Sequence, residues 1–197
     1  MMEYVIKEPE DILKNEWRLL TSAIKDAKHS YHIFSISTIK KNHPELRTVV
    51  LREVNKHEKS ISFHSDRRSP KYQQLITNNN VSALFYDPKL RVQLRMKGKA
   101  SPVKDNDMHK NIWDSMNKAS KQCYQGEIAP SGYLKNNNLI NKLSKNDSLD
   151  SNHGFENFVR VRIKISEIDV LMLHHLGHRR LKCIFEKNII KYHWIAA

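Results

Sequence analysis

The prediction of the fold starts from one stretch of sequence, His64-Ser65-Asp66-Arg67-Arg68-Ser69-Pro70-Lys71. Residues 59–63, just before it, alternate polar and apolar side chains, which is typical of a β-strand. After it, apolar residues recur at helical spacing over 72–76, so Ser69 is the predicted N-cap and Pro70 the predicted first residue of a helix. The sequence therefore predicts a strand, a tight turn and a helix that begins at residue 70.

The start of this helix carries concentrated positive charge. The first turn of a helix leaves backbone N–H groups without intrahelical acceptors, and the peptide dipoles place partial positive charge there. Arg67, Arg68 and Lys71 lie at the same end. This combination favours a phosphate dianion. The alternative is a basic strand-to-helix turn that binds nothing.

Length and composition indicate one globular domain, expected to span 1–197. The chain has 197 residues, of which 39% are hydrophobic and 8% aromatic, which suffices for one core. No apolar run approaches the roughly 20 residues of a membrane helix, and the N-terminus lacks the pattern of a secretory signal. Cys123 and Cys183 form no Cys-x-x-Cys pair. We expect a reduced, cytoplasmic protein, with a single disulfide as the open alternative.

The charge balance is strongly basic. Lys and Arg number 34 against 21 Asp and Glu, which gives a formal charge of +13. Such a balance favours phosphorylated ligands or polyanions as partners, and it keeps nucleic acid among the candidates. The basic residues are spread along the whole chain, however, and part of the excess is explained by solvated surface.

Periodicity predicts a mainly β protein with flanking helices. An amphipathic helix is predicted over 10–28 and another over 105–120, in addition to the one that begins at residue 70. Residues 40–45 are predicted to form a loop and residues 135–153 a mobile or short-helical insertion. The number and spacing of the strands are typical of an antiparallel barrel. Strand patterns cover residues 31–38, 46–54, 59–64, 81–86, 91–100, 155–165, 168–173, 181–185 and 189–194.

The strand over 91–100 has the clearest pattern. Its odd-numbered positions are all polar or basic and include Gln93 and Lys99, whereas its even-numbered positions are apolar or small. One face is therefore predicted to pack inward and the other to present positive charge. Unless a ligand is implied elsewhere, a solvent-exposed sheet face is the favoured explanation of this pattern, because half-solvated antiparallel sheets are common.

Four segments, in this order, resemble one known family. Residues 47–52 begin with Arg47, continue with four mostly apolar residues and close with a basic one. Residues 62–65 place an aromatic residue and a hydroxyl after a strand, and residues 69–71 are similar to a Ser-Arg-Lys motif with Pro70 in place of Arg. Gln93 stands six residues before Lys99 in a strand. The pattern is similar to that of the pyridoxamine 5′-phosphate oxidase-like flavoproteins.

This resemblance implies an antiparallel FMN-binding split β-barrel that forms a homodimer, with FMN at the interface and flavin redox chemistry. Gln93 would reach the flavin of the partner subunit, and Leu51 would form part of an apolar wall along the ring. The cofactor-binding residues that the resemblance implies are Arg47, Val49, Val50, Leu51, Arg52, His64, Ser65, Ser69, Lys71, Gln93, Gln122, Cys123 and Lys182. A small buried thiol without a redox role is the alternative for Cys123.

The C-terminal part resembles a subfamily distinct from the vitamin-making oxidase. In that oxidase an Arg-x-His pair holds the substrate phosphate, and the corresponding residues here are His178 and Arg180. The Tyr, Arg and Ser that bind pyridoxine phosphate have no counterparts around 110–120. The substrate, the electron acceptor and any catalytic acid or base are left unassigned.

Other functional classes are less well supported by the sequence. Gly-x-Ser-x-Gly, dinucleotide-binding and Walker motifs are absent. His174, His175 and His178 have no Cys or carboxylate at a supporting interval, so no metal is expected. The remaining alternatives are a basic small-barrel nucleic-acid binder that uses the face of 91–99, and a flavin- or haem-binding protein without turnover.

Overall fold

The computed structural model describes residues 8–135, 152–187 and 189–197. These residues form four α-helices and nine strands, with one 3₁₀ turn at Phe155–Asn157. The helices are α1 (Pro9–Ala23), α2 (Pro70–Thr77), α3 (Asn106–Ser115) and α4 (Lys118–Gln122). The strands are β1 (Ile33–Lys40), β2 (His43–Val50), β3 (Glu53–Asn55), β4 (Ser60–Asp66), β5 (Asn80–Asp87), β6 (Val92–Pro102), β7 (Phe158–Met172), β8 (Arg179–Glu186) and β9 (Ile189–Ile195).

All of the strand pairs are antiparallel, and the predicted fold class is confirmed. The strand order is β2-β1-β5-β6-β7-β4-β3, while β8 pairs with β7 and β9 pairs with β8. The sheet does not close into a complete barrel, since β2 and β3 end the main path. β4 pairs with the first half of β7 and β8 with its second half.

Strand β7 differs from the sequence prediction. Two strands were predicted, over 155–165 and 168–173, but one strand of 15 residues runs through both. Its register against β6 shifts between Lys97 and Gly98, so that Ser166 has no partner in that ladder. A β-bulge thus absorbs the break in alternation that separates the two halves of the pattern.

The predicted loop over 40–45 was wrong, because β1 and β2 form a tight hairpin. Lys40 pairs with His43, which leaves a turn of only Lys41 and Asn42. Lys41 adopts a positive φ of 54°, as tight hairpins often require. Pro44 lies within β2, which ends the strand order and can accept a residue without a backbone N–H.

The helices differ from prediction mainly in length. α1 ends at Ala23 rather than near residue 28, and its apolar face buries Trp17 and Leu20. The predicted helix over 105–120 is divided into α3 and α4, because Met116 is extended and Asn117 caps α4 by accepting from the Ser120 N–H. The insertion predicted over 135–153 lies largely outside the described residues. No helix in the described ranges is long and apolar enough to cross a membrane.

The core lies between α1 and the inner face of the sheet. Phe34 stacks on Phe85 with ring centroids 4.6 Å apart, and Phe63 meets Phe34 edge-on. The fully buried Tyr31 donates its hydroxyl to Glu16 on α1 at 2.8 Å. This buried polar pair connects α1 to the turn just before β1. Burial raises the pKa of Glu16.

Candidate functional site

A cavity of about 730 Å³ lies between β2 and the start of α2. We call it the Arg47–Lys71 cavity. Its lining consists of Lys40, Glu45, Leu46, Arg47, Thr48, Ser69, Pro70, Lys71, Pro130, Ser131 and Tyr133. Three residues from two separate sequence motifs, Arg47, Ser69 and Lys71, therefore meet at one site.

Arg47 is held firmly against the inner side of this cavity. Its Nη1 donates to the Thr38 hydroxyl and, at 2.8 Å, to the carbonyl oxygen of Glu45, while Nη2 donates to Gln74 Oε1 at 3.1 Å. The same Nη2 lies 3.3 Å from the Glu45 carboxylate. Partial burial lowers the pKa of the Arg47 guanidinium. These contacts fix its orientation and leave an ion pair that an incoming anion would have to replace.

Glu45 is the acidic member of the site. It accepts a hydrogen bond from Gln74 Nε2 at 2.7 Å, and this bond, together with the charges of Lys40 and Arg47, lowers the pKa of its carboxyl group. Glu45 therefore carries its negative charge at neutral pH and competes with any anion for Arg47. Neither Glu45 nor Gln74 was predicted from the sequence, although Glu45 stands two residues from Arg47 on the same strand face.

Lys71 is the cation that is best placed to bind an anion. Burial and the nearby charge of Arg47 both lower the pKa of its ammonium group. Across the described ranges, Lys71 makes no salt bridge. Two cations held near each other with partial burial repel, and a bound anion would relieve that repulsion.

The start of α2 matches the prediction in position but not in capping chemistry. Ser69 is the N-cap residue and Pro70 occupies the first turn. The Ser69 hydroxyl does not cap the helix, because it donates to the Asp66 carbonyl oxygen at 2.6 Å and lies 3.3 Å from the Ser65 hydroxyl. Ser65 is therefore beside the site but buried under Ser69.

Two of the three cations that were grouped at the helix start point elsewhere. Arg68 forms a salt bridge with Asp66 at 2.7 Å and donates to the Gly126 carbonyl oxygen. Arg67 donates through Nε to the Phe158 carbonyl oxygen at 3.2 Å. These arginines join the turn to later segments of the chain, so of the three cations only Lys71 lines the cavity.

The residues that follow Arg47 approach the core. The Leu51 side chain is fully buried, so its predicted role in an open apolar wall is wrong for the side chain. The Leu51 N–H donates to His32 O at 2.8 Å and the Arg52 N–H to Ser62 O at 2.9 Å. Val49 and Val50 are half-buried, whereas Arg52 is exposed.

A second group of candidate residues surrounds His64. The imidazole lies edge-on to Phe158 at 5.0 Å, and Tyr124 meets Phe158 at 5.3 Å. Burial, with smaller effects from Arg52 and His109, lowers the pKa of His64 to about 4. The ring is therefore neutral at physiological pH and can accept or donate a hydrogen bond.

Gln122 and Cys123 lie at the end of α4. Gln122 is half-buried, and the Cys123 thiol is exposed and lies 3.8 Å from the Ala119 carbonyl oxygen. The alternative interpretation of Cys123 as a buried thiol was wrong. Of the two cysteines, Cys123 is exposed and Cys183 is buried. Neither Gln122 nor Cys123 lines the Arg47–Lys71 cavity.

The remaining candidates lie on what we call the outer sheet face, the side of β1, β2 and β5–β8 directed away from the core. Gln93 lines a separate concavity of about 320 Å³ there, together with Leu46 and Arg95. Lys182 lies 3.8 Å from the Glu167 carboxylate. Within one chain, Gln93 and Lys182 do not line the Arg47–Lys71 cavity.

The two predicted substrate residues have partners within the chain. Arg180 forms two hydrogen bonds with the buried carboxylate of Asp169. His178 Nδ1 accepts a hydrogen bond from the His174 N–H at 3.2 Å. Asp169 was not predicted from the sequence, because it lies between apolar residues of β7. Only the pairing of β7 with β8 brings it to Arg180.

No cluster of metal-binding side chains is found in the parts of the chain that the structure describes. The His174 and His175 rings lie 4.2 Å apart, but no third ligand is arranged with them.

Comparison with known proteins gives a sequence match for the first half of the chain. Residues 14–104 match the family described as pyridoxamine 5′-phosphate oxidase, FMN-binding domain. The pyridoxine/pyridoxamine 5′-phosphate oxidase of Psychrobacter cryohalolentis is 34% identical over 92 residues, which are 46% of this chain and 41% of that enzyme. The aligned part thus spans about two fifths of the curated relative.

Similarity to solved structures extends over the whole fold. PhzG from Burkholderia lata, solved with tetrahydrophenazine-1-carboxylic acid, has a TM-score of 0.75 at 17% identity, covering 96% of this chain and 93% of its own. A pyridoxamine 5′-phosphate oxidase-related, FMN-binding protein from Nostoc punctiforme has a TM-score of 0.73 at 17% identity, covering 98% and 100%. At such identity these two structures establish the fold alone.

The fold is that of split-barrel proteins, and the sequence match over 14–104 is to an FMN-binding domain. Slightly less than half of the chain, residues 14–104, is therefore similar to the FMN-binding domain of the pyridoxamine 5′-phosphate oxidase family. The matched domain family binds FMN, and the residues of the Arg47–Lys71 cavity fit the anionic end of that nucleotide. A half-buried lysine, which forms no salt bridge with any described residue, stands there at a helix N-terminus beside an oriented arginine.

Proposed function

We propose that this protein is an FMN-dependent oxidoreductase that binds FMN between the two subunits of a homodimer. The observation that carries the proposal is the convergence of Arg47, Ser69 and Lys71, from two distant motifs, on one cavity at the start of α2. A helix N-terminus and two cations are the elements that a terminal phosphate requires. FMN supplies the redox chemistry by exchanging electron pairs through its ring, and the protein positions it.

Each group of residues has a distinct role in this proposal. Lys71 and Arg47 hold the phosphate, with Ser69 and Ser65 behind it. Backbone groups near Val49 and Val50 meet the polar edge of the ring, and Arg52 and His64 lie further along the same path. Gln122 and Cys123 approach from α4. Gln93 and Lys182 come from the other subunit, which agrees with their place on the outer sheet face, away from the cavity of their own chain.

The outer sheet face supports the proposed dimer. Ile33 on β1, Leu46 on β2, and Leu84 and Tyr86 on β5 are large apolar side chains with exposed fractions of 53%, 68%, 39% and 47%. A contiguous patch of exposed apolar side chains on neighbouring strands is typical of a protein–protein interface. Leu46 lines both the Arg47–Lys71 cavity and the Gln93 concavity, so a partner seated on this face would also reach the flavin site.

The substrate is proposed to differ from pyridoxine phosphate. Arg180, a counterpart of a phosphate-binding residue in the resemblance, is already paired with Asp169, and Leu171 stands near the position where the vitamin-making oxidase has a Trp. Among the relatives, one is a pyridoxine/pyridoxamine 5′-phosphate oxidase and another was solved with tetrahydrophenazine-1-carboxylic acid. Assays with both types of compound would therefore test directly whether the substrate differs from pyridoxine phosphate.

The test of FMN binding is a fluorescence titration of the purified protein with FMN. We expect a yellow holoprotein and a dissociation constant about 10- to 100-fold weaker for Lys71→Gln, because a charge-assisted hydrogen bond to phosphate is lost. Lys89→Gln, an exposed lysine in the β5–β6 turn, is the matched control and should bind as the wild type does.

Two outcomes would overturn the proposal. A protein that refuses FMN and instead retards oligonucleotides with a steep salt dependence would be a nucleic-acid binder. Equal FMN affinity in wild type and Lys71→Gln would remove the Arg47–Lys71 cavity as the phosphate site. Turnover is tested separately, by bleaching of the flavin absorbance with candidate reductants and its recovery in air.

A further inference from the structure

A second cavity, of about 640 Å³, lies on the outer sheet face around the β-bulge of β6 and β7. We call it the bulge cavity. It shares no lining residue with the Arg47–Lys71 cavity. Three lysines, Lys97, Lys99 and Lys164, line it, and its lining contains no Asp or Glu.

The arrangement of two of these lysines is unfavourable for the protein alone. Lys99 on β6 and Lys164 on β7 are directly opposite each other in the antiparallel ladder. Side chains in such pairs have Cβ atoms about 4.5–5.5 Å apart, and like charges at that distance destabilise a sheet. Lys97 has a counter-ion in Glu167 at 3.3 Å, but among the described residues Lys99 and Lys164 form no salt bridge.

The backbones of β6 and β7 are in close contact beneath the lysines. Gly98 lies so close to β7 that a Cβ atom there would be 2.2 Å from the Lys164 carbonyl oxygen. The Ser166 hydroxyl, at the bulge, donates to the Lys97 carbonyl oxygen at 3.2 Å. The strands therefore cannot move apart to relieve the repulsion between Lys99 and Lys164, and both side chains remain on the same face of the sheet.

The lining of the cavity also contains apolar side chains. Ile39, Pro44 and Phe185 are among them, Phe185 packs partly against the core, and the Lys59 ammonium lies 5.2 Å from the Phe185 ring centroid. Lys59 thus adds positive charge beside the aromatic wall. A site that combines paired cations with apolar walls suits a ligand with a charged head and a hydrophobic body.

We propose that the bulge cavity binds a small organic anion, with a doubly charged head group such as a phosphate monoester between Lys99 and Lys164 and an apolar body against Phe185. The anion replaces the like-charge contact with two charge-assisted hydrogen bonds. The site shares no lining residue with the Arg47–Lys71 cavity and does not depend on the proposed redox function. Ser37, Ser82 and Lys97 also line the Gln93 concavity, so an occupant would sit beside the proposed dimer face.

The test is isothermal titration calorimetry of the FMN-loaded protein with phenyl phosphate as the probe. We expect saturable binding that weakens with added salt, and a loss of about tenfold in affinity for each of Lys99→Gln and Lys164→Gln. Lys89→Gln should bind the probe as the wild type does. Phenol, which has the same ring without the charge, should bind at least about tenfold more weakly.

Further measurements separate this site from the flavin site. The FMN absorbance and affinity should be the same in Lys99→Gln and in wild type, and Lys71→Gln should still bind phenyl phosphate at the bulge cavity. Thermal melting should show that phenyl phosphate stabilises the wild type and not Lys164→Gln.

Three results would overturn the proposal. They are the absence of probe binding, undiminished binding in both lysine variants, or loss of binding in Lys71→Gln alone. Displacement of the probe by an oligonucleotide that itself binds more tightly, through the same lysines, would show that the surface serves nucleic acid instead. Because the flavin signal is read separately, a protein that fails to bind FMN remains distinguishable from one that lacks this anion site.

Discussion

Asp169 on β7 accepts two hydrogen bonds from Arg180 on β8, from Nε to Oδ1 and from Nη2 to Oδ2, each at 2.9 Å. Arg95 on β6 approaches the same carboxylate at 3.8 Å. Asp169 is only 2% exposed, and a buried carboxylate is tolerated only where cations or donors surround it. The pair therefore fixes the direction of Arg180 on the outer sheet face.

Asp169→Asn should lower the thermal stability of the protein. The amide keeps the shape of the carboxylate but leaves two guanidinium groups without their negative partner. We expect the melting temperature to fall by roughly 5 °C, measured by differential scanning calorimetry. Glu186→Gln is the control, because it removes an ion pair of which both side chains are about half exposed, and such pairs contribute little. Equal shifts in the two variants would contradict a structural role for the Asp169–Arg180 pair.

The sequence was sufficient to predict elements whose signal is local. The alternation of residues 91–100 correctly predicted the buried and exposed faces of β6, because a strand with one buried face has a period of two. The N-cap position of Ser69 was correct for the same reason, since Pro70 restricts the helix start by its own geometry. When one side of a helix or strand is buried, the pattern of apolar and polar residues along that element shows which side it is.

Features that depend on distant partners were not predictable. Arg67 and Arg68 have the same local sequence context as Lys71. Arg68 has a local partner in Asp66, but the carbonyl oxygens of Phe158 and Gly126, to which Arg67 and Arg68 donate, are brought to them only by the fold. The Glu45–Gln74 hydrogen bond joins β2 to α2, which no spacing rule connects. Charge near a helix start therefore indicated an anion site, whereas the choice among its cations required the tertiary structure.

Glu45→Gln should tighten FMN binding. The Glu45 carboxylate lies 3.3 Å from the Arg47 guanidinium and carries its charge at neutral pH, so it would compete with an FMN phosphate bound at the proposed site. Removing that charge leaves the hydrogen bond to Gln74 possible and frees the guanidinium. We expect an FMN dissociation constant about threefold to tenfold lower, measured by fluorescence titration.

The matched control for this variant is Glu58→Gln, which changes an exposed acid in the β3–β4 turn. It should leave the FMN affinity unchanged. Weaker FMN binding in Glu45→Gln would show that Glu45 is needed to orient Arg47 rather than competing for it.

His64 should make the protein less stable in mild acid. Its pKa is lowered to about 4 in the folded protein by burial, whereas an unfolded histidine titrates near ~6.5. As the pH falls below 6.5, the unfolded chain binds a proton that the folded chain does not bind. The free energy of unfolding therefore decreases from pH 6.5 towards pH 4, by up to about 3 kcal/mol.

Urea denaturation at a series of pH values measures this effect. His64→Gln should flatten the dependence between pH 6.5 and 4, whereas His57→Gln, in an exposed turn, should keep the wild-type slope. A wild-type protein whose urea midpoint is constant over this range would show that His64 titrates normally.

Gly98→Ala should destabilise the sheet at the β-bulge. The added Cβ would lie 2.2 Å from the Lys164 carbonyl oxygen, which is backbone and cannot rotate away. Overpacking of this kind costs about 1–3 kcal/mol in the free energy of unfolding, read from urea denaturation. Ser101→Ala, at an exposed position on the same strand, should change it by less than about 0.5 kcal/mol. A silent Gly98→Ala would indicate that β6 and β7 are further apart than the structure has them.

Leu84→Asp should separate the proposed homodimer and reduce FMN binding at the same time. Leu84 is exposed on β5, opposite Arg95 in the ladder and on the face with Ile33 and Tyr86. A carboxylate there places a charge among apolar groups that a partner would desolvate. Size-exclusion chromatography with light scattering should show a monomer, and FMN affinity should fall at least about tenfold, because Gln93 of the other subunit is then lost from the site. Ile189→Asp, an exposed apolar position on β9, should leave both mass and affinity unchanged, and a Leu84→Asp monomer that keeps full FMN affinity would contradict a flavin site built from two subunits.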